Sequence, residues 1–339
     1  MGSPPDLVFE APHPRFTPKH RWSFKNNAIC GICLGAWTRL LWRYRAHVHW
    51  LAYWQRVLFI FAIAAFNSLL GAVEVLLYGR AIARQKIHPR PLFVLGHPRT
   101  GTTFLQNCLA KDTATFGSCS TFCAGFPAAF LWFERFRWVF AGAIDPTRPM
   151  DNMDLTFDGP QEDELAVSVL SAGVSPYMPL TFMTAEPSFR PYFSFRDAPA
   201  EATRCWVDAF LYMLRKLSIR AAGKRLMLKS PSHTARVELL LRLFPDAQFV
   251  YIHRHPETVY RSACHMADTT YWCAALRPRR RGYPGLFAPF CAARSSAPVE
   301  LGSARLPLTC DGGRSLSAGT CSWPSRAARR STSSSSPSS

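Results

Sequence analysis

The stretch Pro91-Leu92-Phe93-Val94-Leu95-Gly96-His97-Pro98-Arg99-Thr100-Gly101-Thr102-Thr103 decides the fold. An apolar strand runs into a Gly/Pro turn and then into hydroxyls at the apolar start of a helix. Backbone N–H groups of such a strand–loop–helix, with the first helical turn, direct positive potential at an anion. The Gly96-x4-Gly101 spacing is that of a nucleotide phosphate loop, but Thr102 stands where an NTPase has its Lys. The cation inside the loop is Arg99, whose planar fork suits direct contact with an oxyanion. The loop therefore predicts binding of a phosphate-linked anion without ATP hydrolysis.

Downstream, Arg225-Leu226-Met227-Leu228 reads as a strand ending in Lys229-Ser230-Pro231-Ser232-His233. A helix over Arg236–Phe244 stops at Pro245-Asp246. The strand Gln248–Ile252 then delivers His253-Arg254-His255-Pro256, and a helix over Thr258–Ala267 carries Ser262. Further helices are expected over Thr103–Ala110, Leu165–Leu170 and Thr203–Leu217. Pro160–Asp163 suits the first turn of the second of these, so one of Glu162 and Asp163 is expected to be helix-start chemistry. Strands alternating with helices predict a parallel sheet with ligands at the strand C-terminal ends, where all three motif clusters fall. Arg254 at a strand end and Ser262 on the next helix can turn to one phosphate. Taken singly, they could be a sheet-end ion pair and a helix-surface residue. With the loop, they predict a nucleotide phosphorylated at two places.

Residues 1–36 read as an irregular, Pro-rich tail. Trp37–Trp54 interleaves Arg39, Arg43 and Arg45 with Trp42, Trp50 and Trp54, as an interfacial helix does. Val57–Tyr78 follows with Glu74 as its sole charge and Asn67 as its main polar break. That run is long enough to cross a membrane, which takes about 20 apolar residues, although Glu74 and Asn67 equally suit a core helix. The segment 37–88 is thus a hydrophobic or interfacial helical region, and membrane association is expected. The localisation would be single-pass of the Golgi type in a eukaryote, or cytoplasmic if the 57–78 helix packs on the domain.

Composition sets further limits. The 339 residues carry a net charge of +18, but Ala275 to the end contributes ten Arg against Glu300 and Asp311. The rest is spread over loops and helix flanks without an aromatic-interleaved basic run, so no nucleic-acid partner is expected. Cys30-Gly31-Ile32-Cys33 lacks a second pair, and most of the eleven cysteines are expected to pack as small hydrophobes. From about Trp272 the hydrophobic period disappears, and 275–339 reads as a disordered or frame-shifted Arg/Pro/Ser-rich tail.

Taken together, Gly96–Thr103, the Arg254/Ser262 pair, Arg148–Asn152, Pro160–Glu164, Leu228–His233 and Phe244–Ala247 resemble the PAPS-dependent sulfotransferases. The resemblance covers roughly residues 37–272 and does not identify the acceptor. It implies a three-layer, P-loop NTPase-like α/β fold over 89–274, with a central parallel sheet flanked by helices, a hydrophobic N-terminal helix and an irregular C-terminal tail. It implies PAPS (3′-phosphoadenosine 5′-phosphosulfate) as sulfuryl donor and a hydroxyl-bearing carbohydrate, lipid or small molecule as acceptor, with no metal. Pro98, Arg99, Thr100, Gly101, Thr102 and Thr103 would hold the 5′-phosphosulfate, and Arg254 with Ser262 the 3′-phosphate. Arg99 and Lys229 would offset charge at the reacting centre. Some relatives carry a Glu base shortly after the loop helix, but Lys111–Pro127 contains none. His233 becomes the first choice for the base and Glu162 the second. Aromatic residues of Phe126–Phe140 would line the acceptor pocket. The alternatives are a P-loop kinase or NTPase, weakened by Thr102, and a catalytically inactive, membrane-associated nucleotide-binding protein.

Overall fold

A computed structural model describes residues 22, 24, 25, 27–148, 151–270 and 274–277. Pro149, Met150, Trp272, residues 1–21 and the Arg/Ser-rich stretch from 278 onward lie outside the described residues. In chain order the elements are α1 (Leu34–Arg43), α2 (Trp50–Arg84), β1 (Leu92–Gly96), α3 (Thr102–Leu109), β2 (Phe116–Ser118), α4 (Thr121–Gly125) and α5 (Phe130–Phe133). After these come α6 (Asp163–Leu170), α7 (Ala200–Arg220), β3 (Arg225–Lys229), α8 (Val237–Leu243), β4 (Gln248–Ile252) and α9 (Pro256–Thr270), with 3-10 turns between some of them.

The four strands form one parallel sheet in the order β2-β3-β1-β4. Successive side chains of a strand face opposite ways, so an apolar run buried on both sides needs a layer on each. Phe93, Leu95, Leu226 and Leu228 join the large core that contains Trp206, Phe210 and Leu214 of α7. Leu92, Val94 and Met227 face the other way, against Leu105 and Leu109 of α3. The three-layer arrangement expected from the sequence follows. β1 lies between β3 and β4, with Val94 level with Lys229 and Gly96 level with Ile252. Register alone therefore brings the phosphate loop, the Lys229 segment and the Arg254 segment to one end of the sheet.

Two expectations about the ends of the domain need correction. Residues 27–36 are not a loose tail: Ile29 and Ile32 are buried, and Asn67 Nδ2 of α2 donates to the carbonyls of Cys30 and Ile32. Ala275 and Leu276, assigned above to the tail, are also buried. Arg56 Nη1 donates to Ala275 O at 2.6 Å, and backbone bonds join Leu276 to Thr181 and His49. Of the seven cysteines described, all free, Cys119 and Cys123 are buried, Cys30 and Cys33 half-buried, and Cys108, Cys205 and Cys264 exposed.

Two sets of buried charges hold helices to the sheet. Glu74 of α2 pairs with Lys216 of α7, both side chains at 0% exposure, and Glu74 also accepts from Leu131 N at 2.8 Å. At the other site, the consecutive acids at the start of α6 each meet a residue after β3. Asp163 Oδ2 lies 2.7 Å from His233 Nε2 and accepts from Ser230 on its other oxygen, at 3.2 Å. Glu164 accepts from Arg236 Nη1 at 2.8 Å, Ser175 Oγ at 2.7 Å and Trp206 Nε1 at 3.3 Å. Burial opposes ionisation of Asp163, but the charge and hydrogen bond of His233 and the hydroxyl of Ser230 outweigh it and hold the carboxyl below its ordinary value.

Removing one member of a buried ion pair strands the other, so Lys216→Met should destabilise the chain by about 3–5 kcal/mol. Glu74→Leu combined with Lys216→Met should recover part of that loss in chemical unfolding; an additive double variant would refute the coupling. Because the folded pKa of Asp163 is lowered, its stabilisation is full above the ordinary Asp range and disappears as pH falls through the folded value. Acid titration of stability below about pH 4 should therefore be shallower in Asp163→Asn, whose stability at pH 7 should already be reduced.

Candidate active site

The phosphate loop owes its shape to three left-handed residues, Gly96 (φ 152°), Arg99 (φ 74°) and Gly101 (φ 104°). A Cβ at Gly96 would lie 2.7 Å from Ile252 O and 2.8 Å from Thr100 Oγ1, so only glycine fits. Gly101 needs glycine for its dihedral alone, because open space surrounds it. Thr100 Oγ1 donates to His97 O at 2.8 Å and closes the turn. Gly96 N donates to Thr234 Oγ1 at 2.9 Å, which fastens the loop to the segment after β3. Thr102 and Thr103 open α3, so the loop ends on the free N–H groups of a helix N-terminus.

Lys229 leaves β3 beside this helix start. Its Nζ is 3.3 Å from Thr103 Oγ1 and 2.8 Å from Glu162 Oε1. The Lys229 side chain is 2% exposed and that of Glu162 20%, so of the pair only the carboxylate reaches solvent. The hydroxyl of Tyr177 donates to Glu162 Oε2, and burial beside that carboxylate pushes the phenol well above its usual range. Sequence reasoning missed Tyr177, because nothing in its local pattern points to a residue 15 positions back.

Arg99 turns along the loop rather than out of it. Its Nε donates to Ser262 Oγ at 3.0 Å and its Nη1 to Asp151 Oδ2 at 2.8 Å. Arg148 Nε lies 3.7 Å from the other oxygen of Asp151. Ser262 and the loop are thus brought together, and Asp151 is a second residue that sequence reasoning left without a role. Arg254 is exposed just beyond β4. No hydrogen bond links it to Ser262 among the described residues.

His233 needs correction as first choice for the base. It is fully buried, its Nε2 is committed to Asp163, and the rings of Phe93 and Phe210 stand edge-on to it at 5.5 and 5.7 Å. The stretch expected to line the acceptor pocket divides: Phe126, Phe130 and Phe133 are core residues, with Phe126 and Phe133 packed ring to ring at 5.3 Å, while Phe136, Trp138 and Val139 are exposed. The stretch is built from the short α5 followed by a 3-10 segment, Glu134–Ala143.

Residues 91–283 match the sulfotransferase family. The omega-hydroxy-beta-dihydromenaquinone-9 sulfotransferases Stf3 of Mycobacterium bovis and Mycobacterium tuberculosis are each 34% identical over 241 residues, 71% of this chain. The chain spans 61% of the length of these relatives. They are bacterial proteins and give no support to a Golgi-type anchor. The crystal structure of sulfotransferase STF1 from Mycobacterium tuberculosis superposes with a TM-score of 0.52 over 78% of this chain and 74% of that one, at 23% identity, a likeness of fold. With residues 91–283, more than half its length, matched by the family, and relatives 34% identical over 71% of it, the chain belongs to the sulfotransferase family.

Proposed function

We propose that the protein transfers a sulfuryl group from PAPS to the hydroxyl of a membrane-resident lipid. The observation that carries this reading is the Lys229–Glu162 pair set against the start of α3, at the end of the phosphate loop. The residues fit the donor. The left-handed loop and the helix N-terminus offer N–H groups to a phosphate, and the space at Gly96 admits no side chain. Arg99, Thr100, Gly101, Thr102 and Thr103 would hold the 5′-phosphosulfate beside Pro98, and Arg254 with Ser262 the 3′-phosphate. Asp151 would aim the Arg99 fork. When bound, the donor supplies an activated sulfuryl group, which passes in line to the acceptor oxygen.

The chain's own groups meet the two charge problems of that displacement. Lys229 offsets the negative charge that accumulates on the departing bridging oxygen. Glu162, the partly exposed member of the pair, takes the acceptor's hydroxyl proton, with Tyr177 fixing the carboxylate by its other oxygen. His233 acts at one remove, holding Asp163 and hence the start of α6. A hydroxylated lipid is the acceptor class on two grounds: the Stf3 relatives are named for a hydroxylated menaquinone, and α2 is long and apolar enough to reach a membrane.

The full chain should bind 3′-phosphoadenosine 5′-phosphate in calorimetry, and ATP should not compete. Arg99→Ala and Arg254→Ala should each weaken that binding about tenfold to a hundredfold, as loss of a charged hydrogen bond does. Competition by ATP would favour the P-loop kinase or NTPase reading. Binding without turnover on any hydroxylated isoprenoid quinol would favour the inactive nucleotide-binding protein. Glu162→Gln should lower turnover by about 10²-fold or more while leaving nucleotide affinity within a factor of a few. Undiminished turnover in that variant would remove Glu162 from the base position.

A further inference from the structure

The 35-residue helix α2 has its amphipathicity reversed. Its polar side chains Gln55, Arg56, Asn67 and Glu74 all face the protein and are buried. Beyond a kink at Tyr53 (φ −124°) the opposite face runs Trp54, Leu58, Ala62, Ala65, Leu69, Ala72 and Leu76 at helical spacing, with Leu51 just before the kink, and every one of these is exposed. Leu51 and Leu76, near the two ends of this stripe, are 90% and 84% exposed. A helix that met only water would place these sets the other way round. Contiguous exposed apolar surface on this scale marks an interaction site.

Charge and aromatic placement identify the occupant. Arg39, Arg43 and Arg45 are exposed ahead of the stripe, and Arg80, Arg84 and Lys86 are exposed at and beyond its end. Glu74 is the only acid between residues 34 and 90, and it is buried. At the first end Trp42, Trp50 and Trp54 are exposed, and the Arg45 guanidinium stacks 4.6 Å over the Trp42 ring. An apolar face with indoles at one end and cations at both has the chemistry of a segment lying in an anionic lipid interface. The contacts of α2 also oppose a span. Tyr53, Ile60, Ala64, Leu70 and Ile82 are buried along nearly its whole length, so it could not cross a bilayer without taking the α/β body with it.

We infer that the exposed face of α2 lies flat on an anionic membrane surface and holds the protein there from one side, without crossing. The inference stands on the helix itself, and it deepens the proposed function only by placing the site at a lipid surface.

The test is flotation of the full-length protein with preformed vesicles of phosphatidylglycerol and phosphatidylcholine in equal parts, against phosphatidylcholine alone. The protein should float with the anionic vesicles, less with the neutral ones, and less again at high salt. Leu58→Glu, Leu69→Glu and Leu76→Glu combined should weaken partitioning on the order of a hundredfold. The three positions are exposed, so the variant should keep its circular dichroism and its affinity for 3′-phosphoadenosine 5′-phosphate. A second variant, Arg43→Ala with Arg45→Ala, should lose the preference for anionic vesicles while keeping the apolar contribution. A folded protein that ignores vesicles would overturn the inference. So would a soluble dimer that dissociates in the Leu58/Leu69/Leu76 variant, since the stripe would then be a self-interface. Nucleotide binding in the same samples separates either failure from failure of the sulfotransferase reading.

Discussion

Three consecutive acids meeting one short turn are the constraint on which the site depends. Glu162, Asp163 and Glu164 engage Lys229, His233 and Arg236 respectively, across 67 to 72 residues of sequence. Inside a protein a lone charge is expensive and a hydrogen-bonded pair is tolerable, so none of these groups can move without stranding another. Two of the acids, Asp163 and Glu164, are fully buried. Their pairs fix the start of α6 against the end of β3, and the third pair, of buried Lys229 with partly exposed Glu162, is thereby held beside α3. Its position is set by neighbours that cannot shift, which is the support that a preorganised site requires.

The same logic governs α2, with a different purpose. Glu74 and Arg56 face inward, to Lys216 and to the carbonyl of Ala275, so charges fix the helix to the body from within. That leaves its outer face free of any duty to stay soluble. A helix tied only by apolar contacts could peel from the domain into lipid; a buried ion pair and a buried charged hydrogen bond make that costly. On the inference that this face lies on a membrane, the helix would transmit the orientation of the lipid surface to the domain that carries the site.

Much of this could be read in the sequence because it is local. The strand Gln248–Ile252 keeps its expected bounds and the strand from Arg225 runs one residue longer, since apolar runs ended by Pro, Gly or charge are written in adjacent positions, whereas the three-residue edge strand Phe116–Ser118 was not foreseen. The loop was equally legible, its glycines being demanded by dihedrals and close approach. What escaped are pairings between distant segments: Asp151 with Arg99, Tyr177 with Glu162, and Asp163 with His233. One signal was available. Three acids in a row at one helix start exceed what the helix dipole can use, and the excess called for buried partners. Likewise Arg56, Asn67 and Glu74 are spaced by 11 and 7 residues, whole turns of a helix, which put all three on one face of α2. Phe126 and Phe133 misled for a converse reason, because an aromatic cluster reads the same whether it lines a pocket or fills a core.

The charge arrangement at the loop adds a final argument. Arg99 and Lys229 are each held by an acid, Asp151 and Glu162, so neither has to be ordered when an anion arrives. Ordering a long cationic side chain costs binding free energy, and a fork already aimed forgoes that cost. The holding acid also weakens the cation's pull on an anion, so the scheme works only if further cations tip the local field. Arg148 shares Asp151 with Arg99, and Arg254 stands exposed at the neighbouring strand end. On the proposed reading the acids provide aim and the surplus cations provide attraction. That division also explains why an Arg, whose fork can serve Asp151 and Ser262 at once, stands in the loop where a point-charged Lys could not.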